Sequence, residues 1–206
     1  RRDAVAALGT QPDADVVTYL APLLRDPSVD VRRQVIAELA KAPLVHVRTL
    51  LYEQMQSDPD TLDQLVQVLS DLGDTSLAPQ LIELFPNASH AAQLAILETL
   101  PQLQEPTAQP LIVRQLASSD AEIRCYAVRA LGRIGTQTAM RHVVHAARDS
   151  DRTVRATVVR VLADACEVPK ALNDERAIEE LDRLSVDEDE AIARAARSIL
   201  ERWGRG

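Results

Sequence analysis

Aromatic side chains are nearly missing from this chain: 2% of its residues, comprising one Trp, one Phe and three Tyr. A core built without them is filled by Ala, Leu and Val, which suits helices packed closely along their lengths. Glycine is also scarce, with six among 206 residues, and there is no Gly-rich phosphate loop, nucleophile elbow or HExxH stretch. The two cysteines, Cys125 and Cys166, stand 41 residues apart and form no CxxC or Cys/His ligand spacing. Free thiols of a reducing compartment fit that pattern better than a disulfide. No apolar run approaches membrane-spanning length, so no membrane insertion is expected, and no signal-peptide pattern opens the chain. A formal charge of −8 opposes general nucleic-acid binding, which needs a basic face to displace phosphate counterions. The first residue is Arg1 rather than Met, and the chain reads as a piece of a longer protein.

What is present is a period. The leucines that close successive apolar runs are Leu8, Leu39, Leu69, Leu100, Leu131, Leu162 and Leu200, at steps of 31, 30, 31, 31, 31 and 38. Three residues earlier runs a second row: Val5, Ile36, Val66, Leu97, Val128 and Val159. That spacing puts both rows on one helical face. A second helix follows in each unit, with its own row at Leu20, Leu51, Leu81, Ile112, Val143 and Leu181. The repeating unit is therefore a helical hairpin, present in about six and a half copies. Gly73, Gly135 and Gly204 fall just after the first helix, where a left-handed residue ends it. Pro79 and Pro110 open second helices, where a missing N–H costs nothing. The long step of 38 comes from extra residues around "CEVPKALNDER". Nothing alternates with period two for long enough to suggest a sheet.

Within the units, Asp120 and Asp151 are N-cap candidates, with Arg124 and Arg155 four residues later. Ser28 and Arg32 repeat the arrangement, whereas Leu62, Gln93 and Ala193 replace the arginine elsewhere. A cap plus an arginine reaching the neighbouring turn is architecture rather than catalysis. Trp203 occupies the row of Leu72, Leu103, Ile134 and Ala165, and is expected to close the last open face as a lid.

The stretches "DSDRTVRATVVRVLADA" and "SSDAEIRCYAVRALGRIGTQTAMRHVVHAARD" resemble the short HEAT repeats of the class named after the phycobilisome lyases. The resemblance covers the whole chain as one array, residues 1–206. It implies an all-α, right-handed α-solenoid with first helices outside and second helices lining a concave face. It is specific for fold and says little about function. HEAT-like hydroxylases of this architecture use His-Glu dipeptides as iron ligands, and this sequence has none. HEAT-like DNA glycosylases need a basic, aromatic-lined channel, which this composition does not supply. His142 and His145 are spaced to share a metal, but no Asp, Glu or Cys cluster accompanies them, so a solvent-facing pair is the expectation. No cofactor is expected. The resemblance leaves open a bilin lyase or chaperone-like subunit, for which Cys125 would be the candidate thiol, although its place inside a helix suits packing better.

Charge is unevenly distributed. Thr49 to Val113 holds nine acids and no Lys or Arg, whereas Arg114 to Arg160 holds nine arginines against four acids. Registering the second helices places Pro22, Glu53, Glu83, Arg114, His145 and Arg183 in one row, with Arg141 beside it and Arg148 one turn on. The expectation is a noncatalytic, bacterial, cytoplasmic scaffold that binds a protein or peptide along this row. An acidic segment would be drawn to Arg114, Arg141, His145 and Arg148.

Overall fold

The computed structural model describes residue 5 and residues 15–103, 105–164 and 175–203. Leu8, Gly204, Cys166 and the rest of the "CEVPKALNDER" insertion up to residue 174 lie outside the described residues. The described chain is all helical, in twelve α-helices joined by short 3-10 turns. These are α1 (Asp15–Leu20), α2 (Val29–Leu39), α3 (Leu44–Ser57), α4 (Leu62–Asp71), α5 (Ala78–Leu84) and α6 (His90–Thr99). They continue as α7 (Ala108–Gln115), α8 (Ala121–Ile134), α9 (Gln137–His145), α10 (Arg152–Asp164), α11 (Glu175–Leu184) and α12 (Glu190–Arg202).

Two compact units result, residues Arg1–Thr99 and Leu100–Gly206. In the first, α2 packs on α4 and α4 on α6, while α3 folds back against α4. In the second, α8, α10 and α12 stack in order, and α7, α9 and α11 form the parallel layer behind them. The periodic rows explain this layering. Leu39, Leu69, Leu100, Leu131, Leu162 and Leu200 are all buried, as are Ile36, Val66, Leu97, Val128 and Val159. Leu20, Leu51, Leu81, Ile112, Val143 and Leu181 are each fully enclosed, so both helices of every hairpin present their rows to a shared interior.

The punctuation works as its chemistry requires. Gly73 and Gly135 end their hairpins' first helices at φ of 77° and 65°, a region costly for any residue with a Cβ. Pro79 is within the first two positions of α5 and Pro110 is the third residue of α7. Gly132 has a different role. A Cβ there would collide with Val161 Cγ1 of α10, so glycine is what lets α8 and α10 approach this closely. Trp203 follows α12 as its C-cap, donating its N–H to the Ile199 carbonyl at 3.0 Å, and is half-buried.

Candidate binding surfaces

The V-R arginines build the junctions between hairpins. Arg124 donates from Nε and Nη2 to the two oxygens of Asp149, at 2.8 and 3.0 Å, and from Nη1 to the Ser118 carbonyl at 2.8 Å. Arg155 does the same one repeat on, to Asp187 at 2.7 and 3.1 Å and to the carbonyls of Asp149 and Ser150 at 3.1 Å. Arg32 binds Asp58 at 2.6 and 3.2 Å and the Asp26 carbonyl at 3.0 Å. Each guanidinium therefore ties the turn before its own helix to the aspartate that opens the next repeat, with the bidentate geometry that favours Arg over Lys.

The sequence reading placed these arginines at junctions but did not name their partners. The missed signal is a D-x-D pair, seen at Asp58–Asp60, Asp149–Asp151 and Asp187–Asp189. Its first carboxylate receives the arginine and its second caps the helix in the last two cases. Asp151 accepts from the Thr153 N–H at 2.8 Å, and Asp189 from Ala191 at 2.9 Å. Asp120 caps α8 through the Glu122 N–H at 2.8 Å, as expected. Ser28 departs from expectation. It holds the N-cap position of α2 without a side-chain cap bond, and its own N–H donates to Asp26 at 2.9 Å.

These bonds revise the charge map. Of the nine acids between Thr49 and Val113, Asp58 and Asp60 pair with Arg32, Asp63 with Arg33 and Asp74 with Arg48. Downstream, Arg124, Arg148, Arg152 and Arg155 pair with Asp149, Glu180, Asp189 and Asp187. Arginines borrow acids from the following repeat, so blocks that look unbalanced along the chain are partly neutralised in space. The hydrogen bond from Arg155 holds Asp187 below the ordinary carboxylate pKa. Burial pushes Asp58 the other way, but bonds from Arg32, Thr61 and Gln54 outweigh it and the net shift is downward.

The proposed binding row divides accordingly. Arg114 on α7, and Arg141 and His145 on α9, are all exposed, and α7 and α9 are neighbours. Arg148 and Arg183 are exposed as well, yet both turn onto the buried Glu180, Arg148 Nε at 2.6 Å and Arg183 Nε at 3.0 Å. Both of these row residues are thus shared with one carboxylate of their own unit. In the first unit Glu53 and Glu83 are exposed at equivalent positions of α3 and α5.

Among the described residues no group of three His, Cys, Asp or Glu side chains is placed to hold a metal ion. His142 is half-buried and His145 exposed. Cys125 is half-buried in α8, with Sγ 3.7 Å from Thr153 Oγ1. No described helix is long and apolar enough to cross a membrane.

The family model for HEAT repeats matches residues 78–163 and 110–201, which together span well over half of the chain. The chain belongs to the HEAT-repeat family. No curated protein matches in sequence. Solved structures of the same fold include an engineered protein from the Northeast Structural Genomics Consortium, 18% identical with a TM-score of 0.60, covering 92% of this chain and 99% of that one. The archaeal HEAT-like repeats protein from Thermococcus onnurineus NA1 is 14% identical with a TM-score of 0.56, covering 97% and 90%. A designed armadillo repeat protein in complex with the peptide (KR)4 is 17% identical with a TM-score of 0.51, covering 98% and 91%. At these identities the likeness is one of fold.

Proposed function

We propose that this HEAT-repeat chain is a noncatalytic protein-interaction module, and that its α7–α9 face binds an acidic segment of a partner protein. The observation that carries the reading is the exposure of Arg114, Arg141 and His145 on two adjacent second helices of one compact unit. Arg124, Arg148, Arg152 and Arg155 of that stretch are bound to carboxylates of the following repeat, so their charge adds little to this face. The fold lends itself to this use, since a designed armadillo relative holds a peptide. Nucleic acid is a poor ligand for a chain of net charge −8. The lyase reading rests on resemblance alone, with no site observation in its favour.

The test is the double reversal Arg114→Glu with Arg141→Glu, assayed with a labelled oligoglutamate peptide and with partners recovered by pull-down. Binding by the parent chain should weaken as salt rises, because exposed pairs are screened beyond roughly 8 Å at physiological ionic strength. The double variant should fold and lose about tenfold or more in affinity. Unchanged affinity in a folded variant would rule out this face.

A further inference from the structure

We propose that the second-helix side of the first unit binds a basic peptide segment in extended, polyproline-like form. Two lysine or arginine side chains three residues apart would seat against Glu83 and Glu53. This site lies in residues 15–84 and has the opposite charge preference from the α7–α9 face.

Two grooves carry the inference, and they are the same groove one repeat apart. The first, about 500 Å³, runs between α1 with its following turn and α3, with Pro22 and Arg25 on one wall and Leu50, Glu53 and Gln54 on the other. The second, about 260 Å³, runs between α3 and α5, with Tyr52, Met55 and Gln56 facing Gln80, Glu83 and Leu84. Adding 30 to Pro22, Arg25, Leu50, Glu53 and Gln54 gives Tyr52, Met55, Gln80, Glu83 and Leu84. The recurrence of five lining positions is a property of the repeat, and the glutamate is the one residue kept at both copies.

Each groove has the chemistry of a seat for a long cationic side chain. Lys and Arg bury an apolar stem and keep the charged head in polar surroundings. Met55 and Leu84 offer the stem a surface, and Glu83 offers the head a carboxylate. Neither Glu53 nor Glu83 has an ion-pair or side-chain hydrogen-bond partner among the described residues, unlike Asp58, Asp63 and Asp74 of the same unit. Tyr52 adds an aromatic wall that attracts cations. Arg48 already stands 5.4 Å from its ring centroid, with Nε held by Asp74 at 2.9 Å. No Lys or Arg lies among the residues of the second groove, whereas Arg25 lines the first without pairing with Glu53. The second groove is therefore the stronger seat.

The spacing selects the occupant. Neighbouring helices of packed layers stand roughly 8–10 Å apart. A polyproline II segment returns to the same face every three residues after about 9 Å. A β-strand returns after two residues and about 7 Å, which falls short. The matching pattern is Lys/Arg-x-x-Lys/Arg.

The experiment uses fluorescein-labelled peptides PKPPKP, PKPKPP and PEPPEP, titrated by anisotropy against the whole chain at low and physiological salt. PKPPKP should bind about fivefold more tightly than its re-spaced isomer, and PEPPEP should not compete. Glu83→Gln should weaken PKPPKP about tenfold, Glu53→Gln less, and Arg25→Ala should tighten it. Asp71→Asn removes one exposed acid from α4, outside both grooves, and should leave affinity unchanged. Both glutamates are exposed, so folding should survive, and a far-UV melt checks it; Glu83→Lys is the second variant should the first melt early. Equal binding of the two lysine peptides, an Asp71→Asn loss matching Glu83→Gln, or no binding of PKPPKP at low salt would each overturn the proposal. None of these outcomes depends on Arg114 or Arg141, so the acidic-segment reading stands or falls separately.

Discussion

Arg155 and Asp187 are 32 residues apart in sequence and joined by two parallel hydrogen bonds, Nε to Oδ2 at 2.7 Å and Nη2 to Oδ1 at 3.1 Å. Their side chains are only 7% and 5% exposed, so Asp187 would be a buried charge without its ion pair if Arg155 were removed, whereas Arg155 also reaches the exposed Glu188 at 3.2 Å. Arg155→Ala should therefore cost about 3 kcal/mol or more, the range found when one partner of a buried pair is removed. Arg155→Lys should not rescue it, because an ammonium cannot serve both carboxylate oxygens and two carbonyls from one plane. A double-mutant cycle with Asp187→Asn should return coupling of about 1 kcal/mol or more. Stability within about 0.5 kcal/mol of the parent would mean the pair is surface decoration.

Acid should loosen the junctions. Asp58 and Asp187 have folded-state pKa values below their ordinary one. Their contribution is complete above the unfolded value of about 3.9 and is lost as pH falls through the lower folded value. Urea midpoints should hold between about pH 7 and 5, then drop below about pH 4. In Arg155→Ala the drop should be shallower, since the group that depressed Asp187 is gone. An equally steep loss in that variant would assign acid sensitivity to other carboxylates.

Gly132 offers a test in which propensity and packing oppose each other. Alanine is favoured over glycine in a helix by about 1 kcal/mol. Here its Cβ meets the stiff, β-branched Val161, so Gly132→Ala should lower the melting temperature despite that gain. Pairing it with Val161→Ala should recover part of the loss. If the single variant melts higher than the parent, the two helices have room to separate.

Trp203 is the sole tryptophan, which makes the end of the array readable by fluorescence. As a half-buried residue against α12 it should emit to the blue of free tryptophan and shift red on unfolding. Emission like that of free tryptophan in the folded protein would remove it as a lid.

The sequence made the hairpin and its period legible because burial repeats with the helix, and every described position of the three apolar rows from Leu20 onward is enclosed. The junction arginines were legible as structural, since Arg124 and Arg155 sit at fixed offsets from caps. Their partners were not, because Asp149 and Asp187 are distant in sequence and differ from other turn aspartates only by the residue two places on. The same distance effect hid the neutralisation of Arg148 by Glu180, which is 32 residues on, whereas Arg183 has Glu180 only three residues away on α11. Charge counted along a window misses a carboxylate supplied by the adjacent helix. Ser28 shows the limit of cap motifs: it holds the N-cap position, yet its hydroxyl caps nothing and the Val31 N–H bonds to its carbonyl instead, at 3.1 Å.

Glu180 turns that missed pairing into a prediction. It is 8% exposed at its side chain and accepts from Arg183 Nε at 3.0 Å and Arg148 Nε at 2.6 Å. Burial alone would raise its pKa, yet the bonds from the two arginines bring it below the ordinary value, so the carboxylate is charged at neutral pH. Glu180→Gln keeps the shape and removes the charge that holds both guanidinium groups. Arg148 and Arg183 should then add to the potential around Arg114, Arg141 and His145. The variant should bind an oligoglutamate probe about threefold or more tightly and show a steeper salt dependence, while melting at a lower temperature. Tighter binding with weaker folding separates masking from mere stabilisation, because a purely structural Glu180 would lower the melting temperature and leave the affinity alone.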